Sequence, residues 1–171
     1  MTKRLILIRH AKSAWDDPFM SDHDRPLNAR GRESATAIGG WLKKSGYDVK
    51  AALVSSAERT RETWDNLAAA ANLSIAPDIL PPLYLAEPDL MLNILKDQSG
   101  DNIALIAHNP GIAYLAHGLL KTPPSDSRFD RFPTGTTCVI DLDIDAWSSL
   151  TWRAGVLTDL AFPRDLVPAS A

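Results

Sequence analysis

The stretch Leu5-Ile6-Leu7-Ile8-Arg9-His10-Ala11-Lys12-Ser13 decides how this chain is read. Four consecutive apolar residues predict a buried strand, and that strand delivers Arg9 and His10 at its carboxyl end. In open α/β sheets, ligands bind in the crevice outside the carboxyl ends of the strands. An arginine and a histidine placed there are candidates for gripping a phosphate and attacking it.

At 171 residues the chain is long enough to bury a substantial core, and it is read as one domain over 1–171. A hydrophobic content of 45% and a charged content of 23% are those of an ordinary soluble globular protein. A net charge of -3, with no basic run along the sequence, argues against a nucleic-acid partner. The apolar run at 5–8 is too short for a signal-peptide core or a membrane span. That predicts a cytoplasmic protein without a membrane partner. A lone cysteine, Cys138, excludes an internal disulfide and a multi-thiolate metal site. Its neighbours Val139 and Ile140 predict a buried thiol. His10, His23, His108 and His117 fall in no metal-ligand spacing, so no metal ion and no other cofactor is expected.

Outward from the first strand, 3–9, a polar loop with prolines covers 12–26. A helix is predicted over 28–45, with Asn28 as its N-cap and Gly46 ending it. The run 51–54 predicts a second strand, 56–71 an alanine-rich helix, and the proline-broken 75–85 a short edge strand. Leu90, Met91, Ile94 and Leu95 have helical spacing over 88–97. A strand at 103–107 and a helix at 110–120 follow, and then a polar, proline-rich loop at 121–134. Alternating segments at 136–143 and 150–158 predict an antiparallel hairpin, and the residues from about 166 read as a frayed tail. Strands alternating with helices and ending in a hairpin predict an α/β fold: a three-layer α/β/α sandwich on a mixed, mostly parallel sheet.

Two further strand ends carry chemistry. After the second strand, Ser55 and Glu58 have the spacing of a capping box, which puts Arg59 in the first helical turn. A cation there opposes the helix dipole unless it shares the position with a bound anion. Arg61, two residues on, reads as a solvated side chain. After the third strand comes His108, with Asn109 placed as an N-cap and Pro110 at the first helical position. His117 lies further along that helix and reads as surface or packing. Two histidines and two arginines thus converge from three strand ends on one sheet edge, and a divalent oxyanion is their simplest common partner. A neutral imidazole can attack phosphorus in line, and water then hydrolyses the phosphoryl adduct. The arginines and the second histidine would stabilise the charge on the equatorial oxygens.

These segments resemble the histidine phosphatase superfamily, the phosphoglycerate-mutase-like proteins. Arg9-His10-Ala11 matches the family's Arg-His-Gly, and the stretch from Leu27 to Ala35, with Gly31 at its centre, matches Leu-Thr-x-x-Gly-x-x-Gln-Ala. Ser55, Arg59 and Thr63 match Ser-x-x-x-Arg-x-x-x-Thr, and His108 matches the second histidine. Three further stretches, 9–15, 22–27 and 132–135, look like the short bacterial phosphohistidine phosphatase branch. The resemblance implies a phosphoglycerate-mutase-like sandwich in which His10 is the phosphorylated nucleophile. Arg9, Arg59 and His108 would complete the phosphate pocket, with Ser13 and Asn109 as further substrate-binding candidates. Ala11 and Asn109 stand where the family pattern has glycine. At Ala11 this requires a backbone that an L-residue can adopt.

Phosphatases of esters need an acid to protonate a leaving alkoxide, an assistance worth about 10²–10⁴ in rate. Glu87, just ahead of Pro88, is the candidate general acid in the expected region, with Asp22 and Asp24 as further candidates. Asp22 and Asp24 have a competing reading as partners of Arg25 or as loop caps. The lack of a clear acid tilts the expected substrate toward phosphohistidine on a protein, with inorganic phosphate as product. A small phosphate ester is the alternative, and a non-catalytic phosphate- or partner-binding module is the third reading. The apolar residues at 15–20 either touch a partner or pack over the sheet, and packing is the expectation.

Overall fold

The computed structural model describes residues 2–168. Strand β1 (Thr2–Arg9) lies near the middle of a six-stranded sheet. Helix α1 (Ala29–Ser45), β2 (Ala51–Ser55), α2 (Glu58–Ala71), edge strand β3 (Asp78–Leu80), α3 (Pro88–Lys96), β4 (Asn102–Ala107) and α4 (Gly111–Leu119) follow. A four-residue helix α5 (Arg128–Arg131), β5 (Thr137–Asp143), β6 (Gly155–Ala161) and a short α6 (Pro163–Leu166) complete the fold. The strand order is β3-β2-β4-β1-β5-β6. Strands β1 to β4 pair in parallel, whereas β5 runs antiparallel to both β1 and β6.

Alternation explains the two cores. Leu5 and Leu7 point to one face of the sheet, where they meet Leu95, Ile112, Leu115 and Phe129 from α3, α4 and α5. Ile6 and Ile8 point to the other, against Ile38 and Leu42 of α1 and Trp64 and Leu67 of α2. All four side chains in β1 are fully buried, and each such burial contributes about 1.5–3 kcal/mol. The fold is the α/β sandwich that the order of elements predicts.

Helix α1 begins and ends as its sequence requires. Asn28 accepts a hydrogen bond from the Gly31 N–H at 2.8 Å, and Gly46 closes the helix with a left-handed φ of 75°. Gly31 also lets α1 touch the loop that follows His10: a Cβ there would stand 2.0 Å from the Lys12 carbonyl oxygen.

Other expectations are corrected. No capping box forms at α2. Ala57 is the N-cap, the Ser55 hydroxyl is engaged with His108, and Glu58 pairs with Arg61. Asn109 does not cap α4; its amide donates instead to the carbonyls of Arg131 and Phe132 at 3.0 and 3.1 Å. The second hairpin strand is Gly155–Ala161 rather than 150–158. Leu150 is drawn into the core, and the buried Trp147 donates its indole N–H to Gly100, so the chain turns before it pairs. The residues 15–20 do not pack over the sheet: Trp15 is 77% exposed and Phe19 96% exposed. The predicted tail starts too early, because Leu166 packs against the α1/α2 core; residues 169–171 lie outside the described part. Among the described residues no helix is long and apolar enough to cross a membrane.

Candidate active site

Strand β1 ends between β4 and β5, and its last residues are tied to both. The His10 N–H donates to the Ala107 carbonyl, while the Gly135 N–H donates to the carbonyls of Arg9 and His10. Gly135 has φ 77°, a conformation open to glycine, and this lets the segment from Phe132 fold back over Arg9. The Arg9 guanidinium donates to the Phe132 carbonyl at 3.0 Å.

His10 is buried, and its Nδ1 lies 2.7 Å from the Ala11 carbonyl oxygen. A carbonyl can only accept, so Nδ1 carries the hydrogen and the lone pair falls on Nε2. Burial pushes the His10 imidazole down to about 3. The Ala11 carbonyl works the other way, and Arg9, Arg59 and Arg25 add to the depression. At neutral pH the ring is therefore an uncharged base. Ala11 avoids the left-handed backbone, so the alanine fits where the family pattern has glycine. Its N–H donates to the Thr63 hydroxyl at 3.0 Å, and that hydroxyl donates to the Arg59 carbonyl at 2.7 Å.

The Ser-x-x-x-Arg-x-x-x-Thr spacing thereby acquires a physical meaning. Ser55 ends β2 and its hydroxyl lies 2.7 Å from His108 Nε2. Arg59, one turn on, is 3% exposed and reaches Asp22 through both its carbonyl, at 2.6 Å, and its carboxylate, at 3.0 Å. Thr63, a further turn along the same face, holds Ala11. His108 is buried, and its ring lies 5.3 Å from that of His10. Burial also pushes His108 down to about 3, with His10 and Arg59 adding to it. A Ser55 hydroxyl donating to Nε2 leaves the His108 hydrogen on Nδ1.

Among the described residues, the buried side-chain polar atoms without a hydrogen-bond partner are Arg9 Nε, Arg59 Nε, His108 Nδ1 and Asn109 Oδ1. All four belong to this site; the two guanidinium nitrogens are donors, and His108 Nδ1 is a third when the Ser55 hydroxyl donates to Nε2. A buried donor without an acceptor costs about 1–3 kcal/mol. A tetrahedral oxyanion would accept from all three.

Arg9, His10, Ser13, Arg59, His108 and Asn109 line one open cavity of about 370 Å³. The structure thus brings together the predicted nucleophile and every predicted phosphate-pocket residue. It treats the three candidate acids differently. Asp22 touches the site, but as a carboxylate. Burial alone would raise it, yet hydrogen bonds from Arg25, Tyr84 and Arg59 hold it well below the usual carboxylate range. Asp24 is 74% exposed, 3.6 Å from His23. Glu87 is exposed at the start of α3, and neither it nor Asp24 lines the cavity. Among the described residues, no group of His, Cys, Asp or Glu side chains converges as metal ligands do.

Sequence reasoning missed Arg25 and Tyr84. Arg25 donates to the Ser13 hydroxyl, to Asp22 at 2.8 Å, and stacks 3.7 Å from the Trp15 ring. Tyr84 donates its phenol to Asp22 and packs edge-on to His108. The Arg25 signal was its spacing of three from Asp22; Tyr84 gave none.

A cationic, imidazole-bearing pocket at the carboxyl edge of a mixed α/β sheet has the chemistry of a phosphate-binding site. The model of the histidine phosphatase superfamily (branch 1) matches residues 5–81. The uncharacterized protein Rv1276c of Mycobacterium tuberculosis is 31% identical over 165 residues, covering 92% of this chain and all of that protein. The phosphohistidine phosphatase SixA of Escherichia coli is 25% identical over 156 residues, covering 88% of this chain and 92% of its own. The solved structure of the protein histidine phosphatase SixA complexed with tungstate superposes with a TM-score of 0.77 at 25% identity. That match covers 96% of this chain and 99% of the other. The chain belongs to the histidine phosphatase superfamily, and it is a phosphatase.

Two expectations follow. Arg59→Ala weakens tungstate or vanadate binding by about tenfold or more, the worth of a charge-assisted contact. Arg61→Ala does not, because its guanidinium pairs with Glu58 and lines no part of the cavity. Calorimetric titration of both variants checks this, and equal losses would mean that the wrong helix face has been chosen. The second concerns acid. Both imidazoles fall from 6.5 to about 3 in the native state, so between these values the unfolded chain binds protons that the native site refuses. Stability is therefore complete above about 6.5 and declines as the pH falls toward about 3. Urea midpoints across that range should show the slope, and replacing His10 and His108 by glutamine should flatten it.

Proposed function

We propose that this phosphatase is a protein phosphohistidine phosphatase that works through a covalent phosphoryl-His10 intermediate, without a metal ion. The observation that carries the reading is the composition of the pocket wall. It holds cations, imidazoles and hydroxyls, and among the described residues no aspartate or glutamate lines it. Asp22, which pairs with the cavity-lining Arg25 and Arg59, is kept ionised by three donors.

In the first step the His10 Nε2 lone pair attacks phosphorus, a P–N bond forms, and the bond from phosphorus to the substrate imidazole breaks. That imidazole leaves once its ring nitrogen is protonated, so no dedicated carboxylic acid is required. Arg9, Arg59 and His108 donate to the equatorial oxygens, where charge is stabilised in phosphoryl transfer. In the second step water attacks phosphorus, the P–Nε2 bond breaks, and inorganic phosphate leaves. The Ser13 hydroxyl accepts from Arg25, and Asn109, anchored to the Arg131 and Phe132 carbonyls, lines the same cavity.

Support for a protein substrate comes from the mouth of the pocket. Trp15 and Leu85 line it while largely exposed, and Phe19 and Met20 stand out on the same loop as Trp15. Exposed apolar residues around a charged centre suit a protein surface. The phosphohistidine phosphatase SixA of Escherichia coli, similar over most of the chain, supports the same class.

The test is a leaving-group series. Without acid assistance, kcat/KM on phosphate esters falls steeply as the leaving alcohol becomes more basic. Aryl phosphates turn over, alkyl phosphates barely do, and protein phosphohistidine is hydrolysed well. Glu87→Gln leaves phosphohistidine hydrolysis unchanged. Efficient alkyl-ester hydrolysis that collapses in Glu87→Gln would refute the reading and install Glu87 as the general acid.

A further inference from the structure

A second cavity, of about 320 Å³, adjoins the catalytic one and shares Lys12 and Thr134 with it. Five cations line it: Lys12, Arg30, Arg128, Arg131 and Arg164. No acidic side chain does, although the chain as a whole carries more acids than bases, 21 against 18. Arg128 is balanced by Asp126 at 2.8 Å and Asp165 at 3.0 Å. Among the described residues the other four cations make no salt bridge. They come from four separate segments: the loop after β1, α1, α5 and α6. No local run of basic sequence announces this cluster; folding creates it.

Like charges gathered in one cavity repel, and the repulsion grows where apolar walls lower the local dielectric. Here Phe162 and Pro163 form such a wall, with the Arg128 guanidinium 4.0 Å from the Phe162 ring. An anion relieves that repulsion. The Ser34 and Thr134 hydroxyls also line the cavity and can donate to an anion there. Lys12 and Thr134 line both cavities, so an anion held here neighbours the cavity that takes the phosphoryl group.

We propose that this basic cavity is a second anion subsite, which takes a carboxylate or phosphate carried by the same substrate as the scissile phosphoryl group. In a phosphohistidine protein the second anion is an acidic side chain flanking the modified histidine. In a small molecule it is a second phosphate. The inference rests on the reading that the His10 cavity binds the phosphoryl group.

Kinetics of the wild type and of Arg30→Gln/Arg164→Gln test it. Neither residue lines the catalytic cavity. p-Nitrophenyl phosphate has no second anion, so its turnover stays unchanged and doubles as the folding control. Two matched pairs read the subsite: a phosphohistidine peptide flanked by glutamates against one flanked by glutamines, and a nucleoside bisphosphate against the monophosphate. Wild type favours the more anionic member of at least one pair by about tenfold in kcat/KM, the worth of one charge-assisted contact. The preference lies in KM, vanishes in the double variant, and returns with Arg30→Lys/Arg164→Lys. No preference in either pair, or one that survives the double variant, overturns the subsite. The two readings fail separately. Glutamate- and glutamine-flanked peptides hydrolysed equally well, with no bisphosphate preference, remove the subsite and leave the phosphohistidine reading. Selective bisphosphate turnover without peptide turnover does the reverse.

Discussion

Strand β1 stands where the sheet changes direction, with β4 parallel on one side and β5 antiparallel on the other. Its apolar residues are buried on both faces, so the register cannot slip without turning polar groups inward. Its carboxyl end is where polar residues emerge, and neighbouring segments are tied to that point. Ala107 accepts from the His10 N–H, Gly135 donates to Arg9 and His10, and Thr63 accepts from Ala11. Gly31 lets α1 close on Lys12. The position of His10 is therefore determined by the central strand and not by a flexible loop, as the proposed role of nucleophile requires.

The site balances opposing charges. Arg9, Arg25 and Arg59 crowd two imidazoles that burial already keeps neutral. Asp22 offsets part of this field by accepting from Arg25, Arg59 and Tyr84. It thereby orients the two guanidiniums that form one side of the cavity. A carboxylate so engaged holds no proton to give. On the proposed mechanism, the same electrostatic arrangement that suits the pocket to an oxyanion means that Asp22 does not protonate the leaving group.

Local signals were legible wherever one residue served one local purpose. Asn28 and Gly46 cap α1, the run at 103–107 falls within β4, and the order of elements predicts the sheet. Arg9, His10 and His108 could be placed because each sits at a strand end, and Arg59 because it opens the helix that follows one. Legibility failed where a tertiary partner outbid the local one. Ser55 has the spacing of a capping box, but His108 takes its hydroxyl. Asn109 has the chemistry of a cap, but two carbonyls from the α5 region take its amide. Arg25, Tyr84 and the basic cavity depend on segments far apart in the chain, and no periodicity records such meetings. Trp15 and Phe19 mislead for another reason, because apolar character alone does not distinguish a core residue from an exposed one.

The hydrogen bond between His10 Nδ1 and the Ala11 carbonyl leaves a single ring nitrogen able to attack phosphorus. Trapping the phosphoryl-enzyme under alkaline quench, and reading the phosphorus resonance of the isolated peptide, identifies which nitrogen is modified. Phosphorylation of His10 at Nε2 is the expected result. A phosphoryl group on Nδ1, or on a residue other than His10, would contradict the role assigned to that hydrogen bond and to the strand end that enforces it.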